Sequence, residues 1–275
     1  MKRSHRALLA SQTLEIIRQG WYVSHEGNRV SISAAMKEAV QGTILHEVSL
    51  LATATMGTKE RDATLKVVCE STFDAMRHLS LGRRGKIGCL NFASAKNPGG
   101  GFLNGAQAQE EALARASGLY ECLISVPSYY EQNRSNSSCL YLDLVIASPD
   151  VPFFRTDEGE LIDKPLLATV ITAPAPNAGA VLANEPERTS EIQPTLYRRA
   201  QLVLQAAVLS GVSNLVLGAW GCGVFRNDPN MVANAFARLL KTGGLYSRSF
   251  DEVVFAIFDP QQTGDNLAAF RRVFE

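Results

Sequence analysis

The sequence predicts a layered α/β sandwich, and three observations carry that expectation. Strand-like apolar segments recur along the chain, helical patterns lie between them, and the apolar segments run continuously instead of alternating with polar residues. Continuous apolar strands belong to sheets covered on both faces, which makes helices on either side of a sheet the economical arrangement.

Taken in order, the chain opens with MKRSHRALLASQTLEII, which has a basic start and a short apolar stretch. Ser11, Gln12 and Glu15 interrupt that stretch, so an amphipathic helix is expected and not a secretory signal. Leu9, Thr13 and Ile16 lie beside Ala10, Leu14 and Ile17 at helical spacing. A looser polar stretch follows around Met56 to Asp62, and residues 1–60 are expected to form a mainly helical N-terminal extension packed on a core of residues 61–275. Thr64 to Glu70 reads as an extra strand leading into a helix. The main strands are expected at Lys86 to Ala93, Leu140 to Ala147, Leu166 to Ala173, Asn214 to Trp220 and Glu252 to Phe258. Helices are expected at Gln107 to Leu123, Pro194 to Ser210, Pro229 to Leu240 and Asn266 to Phe274. Leu166 to Asn184 carries no charge, but Pro174, Pro176, Asn177 and Gly179 would break a membrane-spanning helix, so a buried strand and a turn-rich loop are expected there.

Bulk properties narrow the function. A chain of 275 residues, 46% hydrophobic, can bury one sizeable core. Its 27 basic and 27 acidic residues cancel, so no long-range field draws in nucleic acid or an anionic membrane, and any polyanion must be held locally. Neither partner is expected. The five cysteines are scattered, with no CxxC pair, which fits a reducing cytoplasm. The four histidines have no metal-ligand spacing, and neither a metal nor a cofactor is expected.

Two segments carry chemistry. In SAKNPGGGFLNGAQAQEEALARA, Gly99, Gly100 and Gly101 lie between an extended segment and a helix. A run without side-chain bulk lets backbone amides approach a sugar or phosphate. Asn97 and Pro98 stiffen its entry, and Gln109, Glu110 and Glu111 fall in the first turns of the helix. Carboxylates there also have an ordinary explanation in the helix dipole. Adjacent helical residues point about 100° apart, so Glu110 and Glu111 need different tasks. The dipole lowers a carboxyl pKa, whereas a proton donor needs it raised by burial or a like charge, which Glu110 and an anionic substrate would supply.

The second segment, GAWGCGVFRNDP, places Gly218, Gly221 and Gly223 in a tight loop after a strand, with Asp228 as cap and Pro229 as first residue of the next helix. Such a loop can wrap a diphosphate with backbone amides. Its GxxGxG spacing is not that of dinucleotide-binding folds, and no P-loop Lys-Ser/Thr pair follows, which argues against a dehydrogenase or NTPase. Phe225 could stack on a sugar or base, or belong to the core. No histidine lies near Cys222 in sequence to act as its base, so a small buried thiol is expected there.

Together, NPGGGFLNGAQAQEE resembles the glycine-triplet and Gln-Glu-Glu signature of poly(ADP-ribose) glycohydrolases of the bacterial type, and GAWGCGVF resembles their diphosphate-binding loop. The likeness extends over much of the chain from about Asn91 to Phe258, including ASPDVPFF and ITAPAPNAG. It implies a macrodomain-like three-layer α/β/α sandwich with a mixed central sheet and an ADP-ribose cleft at the strand ends. It also implies that Glu111 is the acid/base, that Glu110 holds ribose hydroxyls and that Gln109 helps to position them. Gly99, Gly100 and Gly101 would cradle the distal ribose and diphosphate, with Asn97 nearby. Gly221, Gly223 and Val224 would bind the diphosphate, and Phe225 would orient the terminal ribose. The implied ligands are poly(ADP-ribose), ADP-ribose and poly(ADP-ribosyl)ated proteins. Phe153 and Phe154 are candidate adenine contacts. The alternatives are an ADP-ribose reader, which would need the loops but not the carboxylates, and a hydrolase of mono-ADP-ribosylated protein, which would use the same pocket.

Overall fold

The computed structural model describes residues 1–54, 57–82, 85–259, 261–262 and 264–275; Met56, where the looser stretch begins, lies outside them. The chain starts with α1 (Arg3–Gln19), the hairpin β1 (Trp21–Val23) and β2 (Arg29–Ser31), α2 (Ser33–Gln41) and β3 (Ile44–Glu47). Next come β4 (Thr64–Val68), α3 (Thr72–Gly82), β5 (Lys86–Phe92), α4 (Gln109–Ala116), α5 (Leu119–Ile124) and α6 (Pro127–Ser135). Then follow β6 (Leu144–Arg155), β7 (Leu161–Ala173), α7 (Ala178–Asn184), α8 (Ile192–Leu209), β8 (Val212–Leu217), α9 (Pro229–Leu240), β9 (Glu252–Ala256) and α10 (Asp265–Phe274).

Seven strands form one mixed sheet in the order β3-β6-β7-β5-β8-β9-β4. The five from β7 to β4 are parallel, and β6 and β3 run antiparallel at the other edge. β4 reaches its place only by pairing with β9, with Thr64 opposite Glu252.

The continuous apolar runs mark two buried faces. On β5, Leu90 joins the cluster beneath α8, α9 and α10, while Ile87 and Cys89 join the one beneath α3 to α6. On β8, Leu215 and Leu217 face the first cluster and Val216 the second; Val253 and Phe255 of β9 alternate with Val254 in the same way. A pleated strand sends alternate side chains to opposite faces, so a strand buried on both can have no polar alternation. Each fully buried Val, Leu or Phe contributes about 1.5–3 kcal/mol, which makes this three-layer arrangement the stable one.

Four local expectations differ from the structure. The helix expected over Gln107 to Leu123 is two helices, because the Ser117 hydroxyl donates to Leu113 O and accepts from Leu119 N, capping one and starting the other. Gly118 fits the break, since a Cβ there would lie 2.0 Å from Met36 Sδ. The strand expected from Leu140 begins at Leu144, because the Leu140 and Tyr141 carbonyls accept from the buried Arg199 guanidinium at 3.0 and 3.1 Å, not from a neighbouring strand. It then runs through ASPDVPFF with an irregularity between Ser148 and Val151. The turn-rich loop before Asn184 contains α7, whose start is capped by Asn177 accepting from Ala180 N at 3.1 Å. Finally, β3, within the segment expected to be an extension, is the edge strand of the main sheet.

Candidate active site

β5 and β8 are parallel neighbours near the middle of the sheet, so the loops after both emerge side by side at the strands' carboxyl ends, where open α/β sheets hold ligands. Gly218 keeps them close: a Cβ there would lie 2.6 Å from Ala256 O and 2.9 Å from Phe92 Cζ.

The first loop is tied to β5 through the start of α4. Gln109 Oε1 accepts from Phe92 N at 2.9 Å, and its Nε2 donates to Leu90 O at 2.7 Å and to Thr72 Oγ1 at 3.2 Å. Both amide protons are therefore spent on the sheet and α3, so this side chain fixes the helix start. The structure gives it no proton free for the ribose hydroxyls that the resemblance assigned to it. Glu110 points inward, 3% exposed, where Oε2 accepts from Ser94 N at 2.7 Å and Oε1 from Asn91 Nδ2 at 3.3 Å. Glu111 turns to the glycine triplet, where Oε1 accepts from Gly101 N at 3.0 Å; among the described residues its buried Oε2 has no hydrogen-bond partner. The two carboxyls approach Gly100 together, since a Cβ there would lie 2.4 Å from Glu111 Oε1 and 3.2 Å from Glu110 Oε2. Gly100 has φ +59°, and its N–H donates to Asn97 O at 3.0 Å, closing the turn. Asn97 itself is exposed.

Burial pushes the Glu110 carboxyl up to about 8, and the adjacent Glu111 pushes the same way, while the Ser94 and Asn91 donors pull it down. The folded value of Glu110 lies above its ordinary 4.5, so between those limits the folded protein keeps a proton that the unfolded chain releases. Stability from this group is complete below pH 4.5 and is lost as pH rises through 8. Calorimetry of the protein and its Glu110→Gln variant between pH 5 and 8.5 is expected to show the unfolding temperature of the former falling relative to the latter; parallel curves would remove Glu110 as the cause.

Helix α1 holds this loop from outside. Thr13 Oγ1 donates to the buried Arg115 carbonyl at 2.6 Å, Arg6 Nε to Gly105 O at 2.8 Å and Arg3 Nε to Asn104 O at 2.9 Å. Arg115 Nη1 in turn donates to Ala106 O at 2.8 Å.

In the second loop Gly221 has φ +73°, and a Cβ there would lie 2.4 Å from both Ala175 Cβ and Asn227 Nδ2. Buried Asn227 donates to Pro176 O and Gly221 O, holding the loop against the segment after β7. Gly223 and Val224 are exposed, and among the described residues the amides of Gly223, Val224 and Phe225 have no partner, so they are free for an anion. Phe225 is half-buried, 5.8 Å between ring centroids from Tyr141, and its carbonyl accepts from Gly179 N. Burial pushes the Cys222 thiol up to about 12, which keeps it protonated and unsuited to nucleophilic attack.

Phe153 and Phe154 are both completely buried in the core, so neither can meet an adenine; this corrects the expectation for them. Phe258, two residues beyond β9 at the same end of the sheet, is 73% exposed. Sequence reasoning missed it because an aromatic residue closing an apolar run reads as core. Asn91, a polar residue within the apolar run of β5, was a visible signal. Ser94, Thr72 and Arg199 gave none.

Among the described residues, no group of three or more metal-ligating side chains exists, and no helix is long and apolar enough to cross a membrane.

The family model for the microbial-type PARG catalytic domain matches residues 10–156. The chain is similar to the crystal structure of a poly(ADP-ribose) glycohydrolase from Thermomonospora curvata, with 42% identity, 98% of this chain and 100% of that one covered, and a TM-score of 0.94. The Thermomonospora curvata enzyme bound to the inhibitor ADP-HPD matches at 42% identity over 98% of this chain and 99% of that one, with a TM-score of 0.90. A Deinococcus radiodurans poly(ADP-ribose) glycohydrolase in complex with ADP-ribose is 44% identical, with 86% of this chain and 95% of that one covered and a TM-score of 0.78. No curated protein matches the chain.

Proposed function

Because the chain belongs to the microbial-type poly(ADP-ribose) glycohydrolase family, we propose that it hydrolyses the ribose–ribose O-glycosidic bonds of poly(ADP-ribose), free or attached to proteins, and releases ADP-ribose. The observation that carries this reading is the pairing of a carboxyl held by one oxygen, Glu111 on Gly101 N, with a loop whose exposed amides are free for a diphosphate.

The bond to be broken joins the anomeric carbon of one ribose to an oxygen of the preceding adenosine ribose. Protonated Glu111 gives its proton to that oxygen as the bond breaks and positive charge develops on the distal ribose. Gly101 N steadies Oε1, which leaves Oε2 for the departing oxygen. The substrate's own diphosphate, allowed to approach by the triplet's lack of side-chain bulk and held by the loop of Gly221, Gly223 and Val224, offsets the developing charge. Glu111, now a carboxylate, takes a proton from water, whose oxygen attacks the same carbon. One carboxyl performs both transfers, unlike the usual two-carboxylate glycosidase pair. Glu110, kept largely neutral by burial, can both donate to and accept from ribose hydroxyls without adding a second negative charge beside the diphosphate. Gln109 holds the helix that carries both glutamates, Asn97 closes the turn on Gly100, and Phe225 abuts the terminal ribose.

Incubation of the protein with poly(ADP-ribose) and quantification of free ADP-ribose tests this reading. Release supports it; binding without release overturns it in favour of a reader, and release only from mono-ADP-ribosylated protein in favour of the other hydrolase.

We assign adenine stacking to Phe258, the exposed aromatic side chain at the strand ends. Stacking of this kind contributes about 1–3 kcal/mol and is the same in ground and transition states. Phe258→Ala is therefore expected to raise KM about tenfold with kcat nearly unchanged. A fall in kcat at constant KM would remove the assignment.

A further inference from the structure

Away from the strand ends, a cleft of about 810 Å3 lies between α9, α10 and the loop after α9, lined among others by Asn234, Arg238, Lys241, Gly243 and Arg272. Arg238, Lys241 and Arg272 are exposed, and among the described residues none of them pairs with a carboxylate. The nearby acids are occupied otherwise: Asp62 accepts from Thr242 Oγ1 and Arg248 Nε, and Glu275 pairs with Arg271. In a chain with as many acidic as basic residues, three unneutralised cations around one cleft are a local departure from balance.

Their head groups are also held in place. Arg238 lies over the Tyr197 ring at 4.5 Å, Arg272 Nη2 donates to Asn230 Oδ1 at 2.8 Å, and Lys241 Nζ donates to the Val273 carbonyl. A side chain already fixed by a ring or a carbonyl loses less freedom when it binds, and a guanidinium fork matches phosphate oxygens. Asn234 and Arg238 are four residues apart on one face of α9, and Lys241 follows directly after its last residue. That helix begins at Pro229, directly after the free-amide loop, so it leads from the diphosphate site to this cleft over about 18 Å.

We infer that the cleft is a second anion site that holds the diphosphate of another unit of the same poly(ADP-ribose) chain while one unit occupies the catalytic loops. The inference rests on the function proposed above. A substrate with a diphosphate in every repeat can engage two sites at once, and the second engagement becomes intramolecular, which raises avidity for long chains and leaves affinity for a single unit unchanged.

The test uses full-length protein carrying Glu111→Gln, so that polymer binding is measured without cleavage, and compares it with the same protein carrying Arg238→Gln, Lys241→Gln and Arg272→Gln in addition. The triple change is expected to weaken binding of long poly(ADP-ribose) about tenfold or more, and to lower the slope of log affinity against log salt by about two. ADP-ribose binding and the unfolding temperature are expected to stay the same, which shows the variant to be folded. Unchanged polymer affinity and salt slope overturn the inference. So does single-stranded DNA of matched phosphate number that binds the parent as tightly as the polymer and is weakened equally by the triple change. Because binding is read separately from ADP-ribose release by the unaltered protein, a failed hydrolase reading and a failed second site give different results.

Discussion

Replacing Glu111 with glutamine is expected to lower ADP-ribose release about a thousandfold or more while ADP-ribose binding stays within a few-fold of the parent. Glutamine keeps the size of the side chain and an oxygen that can accept from Gly101 N, so the loop retains its shape. What is lost is a group able to give and regain a proton, and a thousandfold corresponds to about 4 kcal/mol of transition-state stabilisation. Release assays alongside calorimetric ADP-ribose titration separate the two quantities. A variant that neither binds nor cleaves would place Glu111 in the architecture of the loop, and one that cleaves normally would move the chemistry elsewhere.

Gly100→Ala is expected to be nearly as damaging without touching a titratable group. The position has φ +59°, where a residue with a Cβ is strained by about 1–2 kcal/mol, and the added methyl would lie 2.4 Å from Glu111 Oε1. The backbone turn is closed by the Gly100–Asn97 hydrogen bond, so the carboxyl is the part that moves. Displacing an acid by an ångström or so from its leaving oxygen costs about a hundredfold in rate. Steady-state kinetics are expected to show kcat falling at least that far, with an unfolding temperature still in the folded range. An unchanged kcat would mean that the Glu111 position in this structure is not the reactive one.

The elements legible in the sequence were those with local causes. Asp228 and Pro229 announce α9 and the structure starts it there, with Asp228 accepting from Asn230 N; the apolar runs of β5, β8 and β9 reflect burial on both faces. The site's glutamates were visible for a similar reason, since glycine triplet and helix start are contiguous in the chain. What stayed hidden depends on distant partners. Nothing near Leu140 signals that Arg199, far along the chain, takes its carbonyl and delays β6. Nothing in Gln109 signals that its amide is spent on Leu90, Phe92 and Thr72. The division of labour between Glu110 and Glu111 follows from the 100° step between helical neighbours. That the Glu110 carboxyl is pushed up in pKa depends on its burial, which sequence does not display.

The position of β4 at the sheet edge has a consequence for how the molecule is made. This strand leaves the ribosome well before β9, its hydrogen-bonding neighbour in the sheet. Until then its backbone groups and the apolar side of Leu65 and Val67 have no sheet to join, and the cluster they complete stays open. Contacts this remote in sequence make assembly slow and leave an unpaired edge exposed during synthesis. The antiparallel half, where β6 and β7 are joined by a short turn, can form as soon as it emerges. The sheet therefore grows from its β6–β7 side and closes at β4 only once β9 has emerged.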